Sequence, residues 1–225
     1  MGETGPLWIT AASQIAGRGR RGRDWVSEPG NLFASLLLSV PVPLTTASQL
    51  SFVASLAIYD SAAQLLASIS LLEVKWPNDL LLENKKLAGI LLETIPGTNK
   101  AVTTLAIGCG VNLEHAPSQT AYGATWLNAH CTEKISPDQF HKALDQHMKN
   151  WLEIWQNGQG FDLITKAWQQ RTSHIGKTIS LTSANQTTTG TFLALAADGA
   201  LVIQLPDGRQ KHFHAGDVSL NIKES

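Results

Sequence analysis

Apolar runs and helix-like spacings alternate along the chain, and together they predict a mixed fold. Residues 7–12 and 31–40 are short apolar runs bounded by glycine and proline, which predicts two strands. Between residues 45 and 69 the apolar positions recur mostly at three- and four-residue steps, which predicts a core-facing helix. Three further strand-like runs read DLLLEN, KLAGILLETI and AVTTLAIGCGV. Short turns join them, so we expect a mainly antiparallel mixed sheet with packed helices, in the α+β class.

The second half of the chain predicts two more helices and a separate β-rich segment. Ser136 can cap a helix in which Pro137 takes the first position and Gln139 the third, and the run FDLITKAWQQR predicts a shorter helix. From about residue 176 the chain changes to short strand-like pieces, KTISLTS, TTTGTFLALA, ALVIQLP and RQKHFHAGDVSL. Such pieces, separated by turn residues, are typical of a small SH3-like barrel. We expect a larger domain over residues 1–175 and this barrel over residues 176–225.

Composition narrows the functional classes. The chain has 225 residues, is 43% hydrophobic and carries a formal net charge of −1, which argues against an extended basic face for nucleic acid. Cys109 and Cys131 match neither a disulfide framework nor a metal-binding spacing, which indicates a reducing compartment. The N-terminus lacks a signal-peptide pattern, and the apolar runs are too short to span a bilayer. We therefore expect a cytoplasmic protein with neither a membrane nor a DNA partner.

The stretch GRGRRGRDW, residues 17–25, concentrates positive charge in an otherwise nearly neutral chain. Glycines allow the backbone to approach a ligand closely, and each guanidinium offers forked donors that match phosphate or carboxylate oxygens. This combination predicts an anion-binding loop, although a solvated or RNA-contacting loop has the same composition. It is not a P-loop, because no Gly-Lys-Ser/Thr ends it. Trp25 is placed to stack on a flat ring, with a core position as the alternative.

Two further stretches carry candidate chemistry. In KWPNDLLLENKKLAGILLE, residues 75–93, Asn78 and Asp79 follow a proline bend and Lys86 returns on the next strand, so an amide, a carboxylate and a lysine can converge. The alternative is that Pro-Asn-Asp only forms a turn at the end of a strand and that Lys86 is a solvent-facing charge on an edge strand. In IGCGVNL, residues 107–113, the two glycines permit close backbone approach and an asparagine follows at the strand end, with a β-bulge as the alternative.

Taken in order, these motifs resemble a known family. ASQIAGRGRRGRDW, GNLFASLLL, KWPNDLLLENKKLAGILLE and IGCGVNL are similar to the catalytic domain of biotin protein ligases, and the segment from residue 176 resembles the small C-terminal barrel of that family. The resemblance implies the class II synthetase-like fold of biotinyl and lipoyl ligases. It also implies two reactions: biotin and ATP form biotinyl-5′-AMP and pyrophosphate, and biotin then passes to a lysine of a biotin carboxyl carrier domain.

The resemblance also implies roles for particular residues. The expected catalytic residues are Arg18, Arg20 and Lys86. The expected biotin contacts are Gln14, Arg18, Gly19, Arg20, Lys86, Gly108 and Gly110. The expected ATP contacts are Arg20, Arg23, Trp25, Asn78, Asp79 and Asn112, and the expected Mg²⁺ ligands are Asp79 and Asn112. No covalent enzyme nucleophile is expected, because the sequence shows no Ser-His or Cys-His arrangement.

The chain departs from the family pattern near its start. Family members usually carry an extra strand, a Ser-Thr-Asn signature and a helix ahead of the strand that begins here at Leu7, and Met1 precedes it by only six residues. A start assigned too far downstream, a truncated form or a degenerate relative would each explain this. There is also no room for the DNA-binding domain of the bifunctional members, so we expect a ligase that is not a repressor.

Alternatives stay open at this point. A lipoate or octanoyl ligase or transferase shares the general fold, a non-catalytic relative could bind biotin or nucleotide only, and an RNA-binding protein could use the arginine loop. Family members differ in oligomeric state, so the sequence allows a homodimer without requiring one.

Overall fold

The computed structural model describes residues 6–69, 71–97, 101–118, 123–184 and 186–220. Its strands are β1 Leu7–Ala11, β2 Leu32–Val40, β3 Leu72–Lys75, β4 Asp79–Leu82, β5 Lys85–Ile95, β6 Thr103–Val111, β7 Thr178–Ser183, β8 Gln186–Leu195, β9 Leu201–Gln204, β10 Gln210–Phe213 and β11 Asp217–Leu220. Its α-helices are α1 Leu44–Ala47, α2 Leu50–Leu65, α3 Pro137–Trp155 and α4 Phe161–Gln169.

The first six strands form one antiparallel sheet in the order β1-β2-β6-β5-β4-β3. Alternate residues of the central strands point to opposite faces, so Leu36 and Ile107 enter the core while Gly108 and Gly110 lie on the other face. Helix α2 covers the core face and α3 packs on α2. The predicted α+β class with a mainly antiparallel sheet is confirmed, and the glycine-bearing face is left for a ligand.

The helix predictions were correct in kind and partly wrong in extent. Helix α3 begins with a complete capping box, because the Ser136 hydroxyl accepts from the Gln139 amide and the Gln139 side chain accepts from the Ser136 amide. The single helix predicted over residues 45–69 is instead the short α1 followed by α2, which ends at Leu65. The apolar pattern continued beyond Leu65, but Leu66 has extended backbone angles, so its side chain packs on the core without helical structure.

Strand β3 was missed by sequence analysis. Its four residues, LEVK, alternate apolar and polar side chains, but the run is only four residues long and all four side chains are buried, the two charged ones included. β3 pairs with β4, and its last residue lies opposite the first residue of β4. This pairing brings the start of the KWPND stretch into the sheet.

The C-terminal segment forms a five-stranded antiparallel sheet in the order β10-β9-β8-β7-β11. The stretch RQKHFHAGDVSL, predicted as one piece, is two strands at opposite ends of this order, because the chain bends at His214 and Ala215. The apolar core is continuous between the two sheets, with Ile179 and Phe192 in the same cluster as Trp168. The division at residue 175 therefore stays a prediction. Within the described ranges, no helix has the length and hydropathy needed to cross a membrane.

A buried acid joins the two halves of the chain and leads to a pH prediction. Glu73 on β3 is 8% exposed and accepts hydrogen bonds from the Ser173 amide and hydroxyl, at 3.0 and 2.6 Å. His174 Nε2 lies 3.5 Å from the other carboxylate oxygen. Burial alone would raise the pKa of Glu73, but its interactions with His174 and Ser173 outweigh burial and lower that pKa from 4.5 to about 2.

Because the pKa of Glu73 is lower in the folded state, its stabilisation is complete above about pH 4.5 and disappears as the pH falls towards 2. We expect the unfolding free energy of the native chain to lose about 3 kcal/mol more over this interval than that of Glu73→Gln. Urea titrations at pH 5 and pH 2 measure the difference. The exposed Glu153→Gln serves as the matched control, and an unchanged pH slope in Glu73→Gln would contradict the assignment.

Candidate active site

The arginine-rich stretch folds into a small hairpin. The Gly19 amide donates to the Arg23 carbonyl at 2.7 Å, and the Trp25 amide donates to the Gly17 carbonyl at 2.9 Å. Arg21 lies at its tip with φ of 58°, in the left-handed region that costs a non-glycine residue free energy. These backbone hydrogen bonds fix the positions from which the arginine side chains extend, so the predicted loop has a regular backbone structure.

Contacts from both halves of the chain hold the hairpin in place. Arg20 Nη1 donates to Asn78 Oδ1 at 3.0 Å. Arg21 and Arg23 both pair with Asp217 at the start of β11, at 2.8 and 3.1 Å. The C-terminal segment therefore supplies one anchor of the hairpin and the turn before β4 supplies the other.

Lys86 and Asp79 form an ion pair on the floor of the site. Lys86 Nζ lies 2.7 Å from Asp79 Oδ1, and both side chains are mostly buried. Lys75 lies opposite Asp79 across the β3–β4 pairing and is 6% exposed. Burial lowers the pKa of Lys75 to about 8, and the nearby charge of Lys86 adds to this while that of Asp79 opposes it. The charges of Lys75 and Lys86 thus lie near the Asp79 carboxylate, which is paired directly with Lys86.

The glycines of the central strands form a floor beneath an aromatic ring. A Cβ atom built on Gly110 would lie 2.6 Å from Trp25 Cε2, and one built on Gly89 would lie 3.0 Å from Trp25 Cζ3. The indole of Trp25 therefore rests directly on backbone that only glycine leaves open. Its Nε1 is buried and has no hydrogen-bond partner, and Lys86 Nζ lies 5.4 Å from the ring centroid. An unpaired buried donor beside a cation is suited to meeting an acceptor on a ligand.

Asn112 organises the end of β6. Its side-chain Nδ2 donates to the Lys86 and Thr125 carbonyls at 3.4 and 3.1 Å, and its backbone amide donates to the Leu87 carbonyl. With its amide donors used in this way, Asn112 fixes the strand that carries Lys86. Sequence reasoning placed it near the nucleotide, and this positioning role was not foreseen.

These groups line a single cavity of about 730 Å³. All of the residues predicted for the site border it: Gln14, Arg18, Gly19, Arg20, Arg23, Trp25, Asn78, Asp79, Lys86, Gly108, Gly110 and Asn112. Gln14 reaches it from the end of β1, where its Oε1 accepts from the Ser27 hydroxyl at 2.9 Å. The structure thus brings together residues that are far apart in sequence, with 98 positions between the first, Gln14, and the last, Asn112. Their individual roles stay predictions.

Sequence analysis missed several cavity residues. They are Asp24, Lys75, Trp76, Glu93, Asp217 and Ser219. Lys75 and Trp76 are the first two residues of the KWPNDLLLENKKLAGILLE stretch and Glu93 is its last, but sequence analysis gave them no role. Asp217 had no local signal, because its position depends on the packing of the C-terminal sheet against the hairpin.

The Arg20 guanidinium is partly buried and therefore weakly hydrated. Burial lowers the pKa of its guanidinium, and the neighbouring arginines Arg21 and Arg23 act in the same direction, while Asp217 and Asp79 oppose them. Arg18, by contrast, is exposed and pairs with Glu93 at 3.1 Å. A partly desolvated guanidinium gains more from an arriving anion than an exposed one does. Arg20 is therefore the arginine of the hairpin best placed to bind charge on a ligand.

The residues predicted for Mg²⁺ do not form a site for the ion by themselves. Asp79 is paired with Lys86, and the Asn112 amide group holds backbone carbonyls. Among the described residues, no group of three or more His, Cys, Asp or Glu side chains is close enough to hold a metal. Magnesium in nucleotide sites is commonly bound by one or two carboxylates together with substrate phosphates.

The buried thiol in the glycine strand should be inert. Cys109 is 2% exposed, and burial raises its pKa to about 12. Cys131 is only half-buried. We expect an aromatic disulfide reagent at pH 8 to modify at most one thiol of the native chain, at Cys131, and both after unfolding in guanidinium. Rapid native labelling of Cys109, mapped by peptide mass, would show that the strand opens.

Comparisons with known proteins give matches over both parts of the chain. Residues 3–112 match the biotin/lipoate A/B protein ligase family, and residues 174–221 match the biotin protein ligase C terminal domain. The chain is 37% identical over 214 residues to the biotin–[acetyl-CoA-carboxylase] ligase of Paracoccus denitrificans, covering 93% of this chain and 88% of that protein. It is 30% identical to the bifunctional ligase/repressor BirA of Bacillus subtilis, covering 94% of this chain and 65% of that longer protein.

Solved structures show the same fold. The biotin protein ligase from Aquifex aeolicus in complex with biotin and ATP superposes with a TM-score of 0.77 at 23% identity, covering 95% of this chain and 88% of that one. The Leishmania major enzyme in complex with biotinyl-5-AMP gives a TM-score of 0.63, covering 93% and 88%. The order of motifs, the cavity that they line and the identity to the Paracoccus enzyme lead to one conclusion: the chain belongs to the biotin protein ligase family.

Proposed function

We propose that this chain activates biotin with ATP to give biotinyl-5′-AMP and then transfers biotin to a lysine of a biotin carboxyl carrier domain. The observation that carries the proposal is the single cavity lined by the arginine hairpin, the Lys86–Asp79 pair and the glycine floor. The Trp25 indole on the glycine floor gives a ligand ring a surface to pack against, and an anionic mixed anhydride fits beneath the clustered cations.

In the first step a carboxylate oxygen of biotin attacks the α-phosphorus of ATP and pyrophosphate leaves. Two anions must approach each other, so positive charge that is already oriented lowers the barrier. Arg20, held by Asn78, and Lys86, held by Asp79, supply this charge with little reorganisation. Arg18 adds a third cation once it exchanges Glu93 for the ligand.

In the second step the carrier amine attacks the acyl carbon and AMP departs. The intermediate is a mixed anhydride that water destroys, so the site must exclude water until the carrier arrives. The hairpin, fixed from both sides, and the Trp25 ring form the cover over the glycine floor. Residues of this chain orient and shield, and none is needed as a covalent nucleophile.

Several finer points belong to the proposal. Any Mg²⁺ would be held chiefly by the phosphates of ATP, with Asp79 as the nearest protein carboxylate. The need for ATP and a carrier protein fits a cytoplasmic location. A net charge of −1 supplies no basic face, so no DNA partner is proposed for these 225 residues. A protected operator in a footprinting assay would contradict this. A homodimer is tested by light scattering of the purified chain.

The test is biotin-dependent exchange of labelled pyrophosphate into ATP, which isolates the first step from the carrier. We expect exchange with biotin and background rates with lipoate or octanoate. The variant Arg209→Ala, an exposed arginine outside the cavity, should behave like the native chain. Exchange supported by lipoate alone would make the chain a lipoate ligase, and no exchange with any acid would contradict the adenylation step.

A further inference from the structure

A second cavity of about 280 Å³ lies on the far side of Arg20. The two cavities adjoin, because the same six residues line both of them: Arg20, Trp76, Pro77, Asn78, Ile90 and Leu91. Its other boundaries are the beginning of α2 and the Asp198–Gly199 turn of the C-terminal sheet. The carrier lysine must reach an acyl carbon covered by the hairpin. A separate opening that ends at the same arginine offers a route that does not require the hairpin to lift.

We propose that this second cavity is the entrance through which the acceptor lysine of the carrier domain reaches the bound adenylate. The inference rests on the proposed function and adds to it the path of the second substrate. The walls match a lysine side chain along its length. Phe52, Trp76 and Leu92 provide apolar surface for the methylene stem, while Ser51 adds a hydroxyl at the side.

Charge is arranged along the cavity in the order that an incoming lysine needs. At the outer end, Asp198 and His214 are 61% and 70% exposed, and His214 Nδ1 lies 3.9 Å from Asp198 Oδ2. The Asp198 Oδ1 accepts from the Ala200 amide at 3.0 Å, so the turn fixes the carboxylate in position. An ammonium group is attracted to this carboxylate before it enters.

At the inner end the Arg20 guanidinium is the nearest charge. A cationic neighbour and apolar walls both disfavour the ammonium form, so the lysine gives up a proton to solvent at the opening and proceeds as the free amine. The amine nitrogen then forms its bond to the acyl carbon as the carbon–oxygen bond to phosphate breaks. AMP takes the electron pair, and the second nitrogen proton passes to the departing phosphate.

The position of the C-terminal turn supports this use of the cavity. Trp76 Nε1 donates to the Gly199 carbonyl at 3.3 Å, which joins the turn to the shared wall. A Cβ atom on Gly199 would lie 2.9 Å from Phe52 Cε2, so the turn already approaches α2 as closely as its backbone allows.

Departure of pyrophosphate by this route is less favourable, because Asp198 would repel a polyanion at the exit.

The experiment separates the two half-reactions. Preformed biotinyl-5′-AMP is bound to the enzyme, carrier domain is added, and single-turnover transfer is followed beside pyrophosphate exchange. For Asp198→Asn we expect the carrier concentration at half-maximal rate to rise about fivefold, the range of an exposed charge interaction, with exchange unchanged. Asp207→Asn is the matched control, because that aspartate accepts from the amide two residues on in the same way but borders neither cavity.

A blocking variant tests the route independently of charge. Ser48 is exposed at the edge of the second cavity, and Ser48→Trp should reduce transfer about tenfold or more while exchange and melting temperature stay unchanged. Normal transfer in both Ser48→Trp and Asp198→Asn would overturn the proposal. Loss of exchange in Ser48→Trp would also overturn it and assign the cavity to pyrophosphate. Absence of exchange in the native chain would instead refute the proposed function.

Discussion

Replacing Arg20 with alanine is expected to lower biotin-dependent pyrophosphate exchange about a hundredfold or more, the usual cost of removing one oriented donor from a developing negative charge. Arg20 Nη1 is held by Asn78 Oδ1, and the guanidinium borders both cavities. Partial burial leaves the guanidinium poorly hydrated, so its charge acts more strongly on a ligand anion than an exposed charge would. The loss should lie mainly in the rate at saturating substrates, because the charge on phosphorus is greatest in the transition state.

Two variants define what the Arg20 result means. Arg20→Lys keeps one charge but loses the forked donors, so it should recover only part of the rate. Asn78→Ala removes the partner that orients the guanidinium, and should lower exchange less than Arg20→Ala does. If Arg20→Ala exchanged at the native rate while Arg18→Ala did not, the exposed arginine would be the one that acts in catalysis, and the assignment drawn from burial would be wrong.

The sequence predicted most of the strands and the residues that line the cavity because local pattern controls both. In β6 the alternation of the strand puts Leu105, Ile107 and Cys109 in the core and leaves Gly108 and Gly110 on the opposite face. The predicted site residues meet because antiparallel pairing aligns the ends of neighbouring strands. Gly89 lies opposite Gly110 in the β5–β6 register, for example. Each of these outcomes follows from a period of two and a turn length.

What the sequence did not predict depends on contacts between distant segments. Asp217 pairs with two hairpin arginines that precede it by about 195 residues, and no local spacing indicates such a contact. The left-handed backbone at Arg21 is also a consequence of the hairpin, since arginine has no preference for it. The second cavity could not be predicted from the sequence either, because it forms where the Asp198–Gly199 turn packs against α2.

The site depends on the absence of a side chain at Gly110. We expect Gly110→Ala to weaken biotin binding about ten- to a hundredfold, the effect of adding one methyl group to a packed surface. The new Cβ would come within 2.6 Å of the Trp25 indole and would push that ring into the cavity in which biotin is proposed to bind. Calorimetric titration with biotin measures the effect without requiring ATP or carrier.

The matched control for Gly110→Ala is Gly97→Ala, where an added Cβ meets nothing within 4 Å. Gly108→Ala gives a finer comparison, because its Cβ would make ordinary contacts with Leu91 at 3.4 and 3.7 Å and leave the fold undisturbed. Any loss of biotin affinity in Gly108→Ala would therefore come from the ligand itself. Native affinity in Gly110→Ala would mean that Trp25 moves aside freely and that biotin lies elsewhere in the cavity. Loss in both glycine variants, with Gly97→Ala unchanged, would locate the biotin rings against β6.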